Sequence, residues 1–120
     1  MNRIAVTSEG PSLDDQVDPR FGRAAGFVVV DLETMDTQYI DNGQSQVMAQ
    51  GAGIQAAELI ARAGVSCLLT GYVGPKAFQA LAAAGIKVGQ NLEGLTVRAA
   101  VERFKSGQVE MAQAANRAGR

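Results

Sequence analysis

Apolar and polar positions follow one another along the chain in blocks that read as strand, loop or helix. Residues 3–7 (Arg-Ile-Ala-Val-Thr) form a short run rich in β-branched side chains and predict a first strand. A polar stretch from Ser8 to Arg23 follows, broken by Gly10-Pro11 and Asp18-Pro19, pairs that argue against helix and central strand. It is longer than the usual connection, and long structureless loops in small domains tend to be functional or disordered. Phe27-Val28-Val29-Val30 is apolar without alternation, the pattern of a strand covered on both faces. Residues 31–37 turn the chain and 38–41 return it as a hairpin partner. A second polar loop, rich in Gln, Asn and Ser, occupies 42–50.

From Gly51 onward helix and strand alternate. Residues 51–63 predict a helix, with Glu58 and Arg62 as an i,i+4 pair and Gly64 as the residue that ends it. Residues 65–70 read as a buried strand. Gly74-Pro75 opens the next helix with proline at its first position and Gly85 closes it, with Phe78, Leu81 and Ala82 inward. Residues 86–88 are the last strand. Val97, Ala100, Val101 and Phe104 then fall at i, i+3, i+4 and i+7, leaving Arg98, Glu102 and Lys105 outside. From Gln108 the apolar spacing decays, so a single domain at 1–107 with a mobile C-terminal tail at 108–120 is expected.

This order predicts an α/β fold with a mixed sheet of about five strands and three helices. An antiparallel meander supplies three strands, and right-handed crossovers add parallel ones. Ligands of such sheets bind outside the carboxyl ends of the strands, at a switch in connectivity. Loops 8–24, 42–53 and 71–76 are expected to meet there.

Composition narrows the chemistry. The 120 residues carry 11 Lys+Arg against 12 Asp+Glu, with no histidine, no tryptophan and one cysteine. A net charge of -1 leaves no electrostatic footprint for nucleic acid or anionic lipid, so neither is expected as a partner. No segment approaches the ~20 apolar residues that span a bilayer, and the start lacks a signal peptide's apolar run. The expected location is cytoplasmic, where one unpaired cysteine stays reduced. Without histidine there is no Ser/His/Asp or Cys/His nucleophile. One cysteine excludes an intramolecular disulfide, an all-cysteine zinc site and a thiolate-ligated iron–sulfur cluster within a single chain.

Several segments remain as candidates. Gly51-Ala52-Gly53-Ile54-Gln55-Ala56 matches G-x-G-x-x-A, but no strand precedes it directly, and Thr70 to Tyr72 stand where the fingerprint expects an acidic residue. A helix start that needs small residues for close packing reads better. In Gly71-Tyr72-Val73-Gly74-Pro75-Lys76, Lys76 lies in a helix's first turn, where the dipole prefers anions. Either an anion sits between Lys76 and the free amides or Lys76 is a solvated surface cation. Arg20 and Arg23 flank Phe21 and Gly22; they can hold a large, weakly hydrated anion or pair with Asp14, Asp15 or Asp18. Cys67 reads as a buried structural thiol and Met48 and Met111 as filler, although a soft metal would accept either type. A two-metal hydrolase needs converging carboxylates, and the first strand has none.

The run Asp18-Pro19-Arg20-Phe21-Gly22-Arg23-Ala24, then G-A-G-I-Q-A-A-E-L-I at 51–60, T-G-Y-V-G-P-K-A-F at 70–78 and A-A-G-I-K-V at 83–88, resembles the dinitrogenase iron-molybdenum cofactor biosynthesis family. The resemblance spans residues 3 to about 105. It implies a three-layer α/β/α, ribonuclease H-like fold that binds or carries metal–sulfur clusters, including a non-covalent molybdenum–copper sulfide cluster. It implies a cofactor-binding set of Arg20, Phe21, Gly22, Arg23, Gly51, Gly53, Gly71, Gly74 and Lys76. Arg20 occupies the slot where many members carry histidine, so a permanent cation replaces a ligand. A cluster already saturated by sulfide is an anion that asks for cations, amides and an apolar wall rather than side-chain ligation. The expected function is therefore non-catalytic carriage of such a cluster, possible protein partners included. The alternatives are a ribonuclease H-like hydrolase or nuclease, and a cluster-free adaptor in a larger complex.

Overall fold

The structure is a computed structural model that describes residues 2–48 and 50–113. Three strands, β1 (Arg3–Ser8), β2 (Gly26–Asp31) and β3 (Thr37–Asp41), form the antiparallel meander. A one-turn helix α1 (Gly43–Gln46) and then α2 (Ala52–Arg62) lead to β4 (Cys67–Leu69). Helix α3 (Pro75–Ala83), strand β5 (Lys87–Gln90), helix α4 (Val97–Lys105) and the two-residue strand β6 (Glu110–Met111) complete the order. The sheet runs β3-β2-β1-β4-β5-β6, with β1, β4 and β5 mutually parallel and β6 antiparallel to β5.

Alternation along the strands divides the core in two. Ala5, Phe27, Val29 and Leu68 face one layer, where Ala56, Ala57 and Ile60 of α2 and Ala77 and Leu81 of α3 cover them. Ile4, Val6, Val28, Val30, Cys67 and Leu69 face the other, under Val97, Ala100 and Val101 of α4. The register Ile4↔Val30 and Ile4↔Cys67 keeps each set on its own side. The unbroken run 27–30 is thus explained by burial on both faces, each full burial of a Val or Phe contributing roughly 1.5–3 kcal/mol. This is the expected three-layer α/β/α arrangement, with one more strand and one more helix than the pattern predicts.

Both additions escape periodicity for physical reasons. Helix α1 is a single turn whose amides at Ser45 and Gln46 bond to the Asn42 carbonyl, too short for an apolar stripe. Strand β6 pairs only Gly89↔Met111 and Gln90↔Glu110, and both its residues are exposed. It lies within the stretch expected as a tail; residues 114–120 of that stretch lie outside the described residues. Gly64 and Gly85 follow their helices at φ +74° and +76°, the left-handed end that glycine allows. No helix among the described residues is long and apolar enough to cross a membrane.

From β1 the chain moves to β2 on one side; from β4 it crosses through α3 to β5 on the other. The carboxyl ends of β1 and β4 therefore mark the switch in connectivity, the place where ligands of such sheets bind.

Candidate functional site

The polar stretch after β1 is an ordered strap. Val17 bridges back to Ser8, and the Asp18 amide bonds to the Thr7 carbonyl at 3.0 Å. The Thr7 hydroxyl donates to the Asp18 carbonyl at 2.7 Å and pairs at 2.9 Å with the Thr70 hydroxyl, tying the ends of β1 and β4 together. The buried Asp18 carboxylate accepts from the amides of Arg20 (3.1 Å) and Ala25 (3.3 Å), which folds 18–25 into a compact loop. That loop then runs beside 71–72: the Tyr72 amide donates to the Pro19 carbonyl at 2.9 Å and the Phe21 amide to the Tyr72 carbonyl at 3.4 Å. A Cβ on Gly71 would lie 2.5 Å from the Pro19 carbonyl oxygen, so only glycine admits this approach.

Two helix starts close the cleft. Helix α2 begins after Gly51, held at φ +78°, and α3 after Gly74; neither has a capping side chain. Gly53 sits so near α3 that a Cβ there would come 2.7 Å from the Ala77 Cβ, and a Cβ on Gly22 would come 2.9 Å from the Gly53 backbone. These contacts bring the strap, α2 and α3 to one point. The result is an open cavity of about 450 Å³ between Gly22-Arg23, residues 51–54 and residues 74–77. A neighbouring hollow of about 230 Å³, lined by Arg20, Tyr72 and the edge of Phe21, shares Gly22, Arg23 and Gly74 with it. First-turn amides have no carbonyl inside their own helix. Those of Gly53, Ile54, Lys76 and Ala77 have no other partner among the described residues.

The predicted residues take different parts here. Lys76 is exposed and lines the larger cavity; Arg20 is exposed on the smaller one, with its guanidinium 3.7 Å from Asp18. Arg23 borders both, but one end of its guanidinium already donates to the carbonyls of Gln46 (3.0 Å), Ser45 (3.5 Å) and Met48. It pins the end of α1 to the strap, a partner set different from the aspartates considered in the sequence. Phe21, expected as an apolar wall, is 2% exposed and stacks at a tilt on Phe27 with centroids 5.7 Å apart. Its ring belongs to the core because the strap turns it under α2. Gly22, Gly51, Gly53 and Gly74 line the cavity, whereas Gly71 is buried and lines neither hollow.

Two contributors went unnoticed in the sequence. Ile54 is 41% exposed and supplies the apolar wall of the larger cavity. It stands off the inner stripe of Ala56, Ala57 and Ile60, and that offset is visible in the helical pattern. Asn42 is 1% exposed and its amide donates to the carbonyls of Gly22 (3.3 Å) and Ala24 (3.0 Å), holding the strap in place. Nothing in a Gln/Asn/Ser-rich loop singles it out.

Metal ligation by side chains has little to draw on. Among the described residues no three of Asp, Glu, His and Cys converge. Cys67 lies at the start of β4, turned toward α4 and away from the cleft. Burial pushes its thiol up to about 11, partly offset by backbone hydrogen bonds and by Lys87. The thiolate that a metal needs is therefore disfavoured at neutral pH.

Comparison with known proteins adds to this geometry. The profile of the family described as dinitrogenase iron-molybdenum cofactor matches residues 1–107. The apo form of the orange protein from Desulfovibrio gigas is 69% identical and superposes with a TM-score of 0.96 over 98% of each chain. A putative NifB protein from Thermotoga is 34% identical, with a TM-score of 0.85 over 98% of each chain. An uncharacterized protein of Methanocaldococcus jannaschii is 32% identical over 81 residues, 65% of this chain and 68% of that one.

Proposed function

The chain belongs to the dinitrogenase iron-molybdenum cofactor family, and on that premise we propose that it binds or carries an anionic metal–sulfide cluster without catalysing a reaction. The guest is of the molybdenum–copper sulfide type that the sequence resemblance implies, held non-covalently in the cleft between the strap, α2 and α3. The observation that carries this reading is the pair of helix starts, each without a capping side chain, facing one cavity beside Lys76. Aligned amides and the positive ends of two helix dipoles favour a negative guest over a neutral one. Lys76 and Arg20 add full charges, and Ile54 and Pro75 offer apolar surface to weakly hydrated sulfide. Arg23 and Asn42 serve by holding the walls. The 69% identity to the orange protein of Desulfovibrio gigas supports a shared site.

The test is direct. Purified protein given copper and tetrathiomolybdate gains a visible charge-transfer spectrum and keeps both metals through desalting. Loss of both metals would end the proposal. Replacing Lys76 and Arg20 together by alanine weakens retention with little change in stability, as expected for exposed cations; unchanged retention would remove them from the site.

A further inference from the structure

Most site glycines have a structural reason to be glycine, and Gly74 has none. Gly51 needs its positive φ, while Gly22, Gly53 and Gly71 each admit a backbone or side-chain neighbour nearer than 3.0 Å to where a Cβ would stand. Gly74 has φ -75° and ψ 169°, angles open to any residue, and a Cβ built on it meets nothing within 4 Å. It is also the N-cap of a nine-residue helix, a position where Ser, Thr, Asp and Asn are preferred because their oxygens satisfy first-turn amides.

The same molecule shows what such a residue does. Thr96, the N-cap of α4, has nearly identical angles (φ -76°, ψ 162°), and its hydroxyl oxygen accepts from the Ala99 amide at 3.1 Å. The two preceding amides of α4 are occupied as well, Val97 by the Asp15 carbonyl and Arg98 by the Leu13 carbonyl, both at 2.8 Å. Every early amide of α4 is taken; those of Lys76 and Ala77 in α3 have no partner among the described residues. Gly74 borders both hollows of the cleft, so a side chain there would project into space a guest needs.

We infer that Gly74 is a specificity-determining residue of the cleft: its missing side chain keeps the first-turn amides of α3 free, and the helix forgoes its own cap so that an external anion can serve as one. The inference rests on the proposed function. A carboxylate at position 74 acts as an internal competitor, reaching the Lys76 and Ala77 amides and adding negative charge beside the guest.

The experiment compares wild type, Gly74→Asp, Gly74→Ser and Thr96→Gly, each loaded with copper and tetrathiomolybdate and desalted. Gly74→Asp is expected to melt about 1–3 °C higher than wild type without metals, since aspartate is a modestly better N-cap than glycine. It is expected to retain at least about tenfold less of both metals, by cap competition and repulsion together. Gly74→Ser, which adds a cap without charge, falls between, and answers the question if the aspartate disturbs folding. Thr96→Gly melts lower and retains metal like wild type. Wild-type-like retention by both Gly74 variants overturns the role of Gly74 while leaving the proposed function standing. Loss of both metals from wild type itself strikes the proposed function instead.

Discussion

The two layers that cover the sheet are built from the same materials and end differently at its carboxyl edge. On the α4 side, Leu13 and Val17 of the strap pack onto the core, and strap carbonyls take up the first amides of the helix. On the α2/α3 side the strap sends Phe21 inward and meets α2 where Gly22 lies against Gly53, but it caps neither helix start, leaving a cavity of about 450 Å³. One polar stretch therefore seals one layer and holds the other open.

The largest predicted effect tests whether Phe21 belongs to the closed part of the open side. Phe21→Ala removes a buried ring stacked on Phe27 and is expected to cost about 3–5 kcal/mol in denaturant unfolding. A loss near zero, with binding alone affected, would return Phe21 to the cavity wall. Gly53→Ala comes next. Its new methyl group would stand 2.7 Å from the Ala77 Cβ, so α2 and α3 must separate at roughly 1–3 kcal/mol. If unfolding midpoints stay put, the tight contact that shapes the cleft is not required.

Thr96→Ala sharpens the contrast from the closed side, where loss of the cap is expected to cost about 1 kcal/mol and leave metal retention unchanged. A change in retention would mean that the two layers are not independent. The smallest effect at neutral pH belongs to Cys67. Its thiol is raised from 9.0 to about 11 in the fold, so the unfolded chain loses this proton first as pH rises. The stability it contributes is complete below about pH 9 and is lost on the way to pH 11. Urea midpoints measured from pH 7 to 11 should fall more steeply for wild type than for Cys67→Ala; parallel curves would place the thiol in contact with water.

How much was legible depended on whether a residue's role is local. The 27–30 run declared a strand buried on both faces, and Pro75 with Gly85 bracketed α3, because steric and hydrogen-bond limits act within a few residues. Arg20, Gly22, Arg23, Gly51, Gly53, Gly74 and Lys76 all border the cleft, but the division of labour among them was not visible. Arg23 reads in the sequence as holding an anion or pairing with a nearby aspartate, and instead spans to carbonyls 22 to 25 positions away. Phe21, expected as an apolar wall of the site, has its ring in the core. Ile54, off the inner stripe of its helix, was readable and went unread. Asn42 was not readable, since its partners Gly22 and Ala24 meet it only after β2 and β3 have folded back.

The absence of histidine and the single cysteine were decided by the sequence alone, and with them the scarcity of imidazole and thiolate ligands, for no fold can supply a donor the chain lacks. The alternation of elements, the two-faced core and the residues able to start and stop each helix were set at the same level, because hydrophobic periodicity and backbone sterics are properties of neighbours. Which first-turn amides remain open among the described residues, which cation is already engaged and which glycine has no packing reason to be glycine were decided only when distant segments met. Hydrogen-bond satisfaction is settled by what lies within about 3 Å in space, and for the strap, α2 and α3 that company is drawn from the whole length of the sheet.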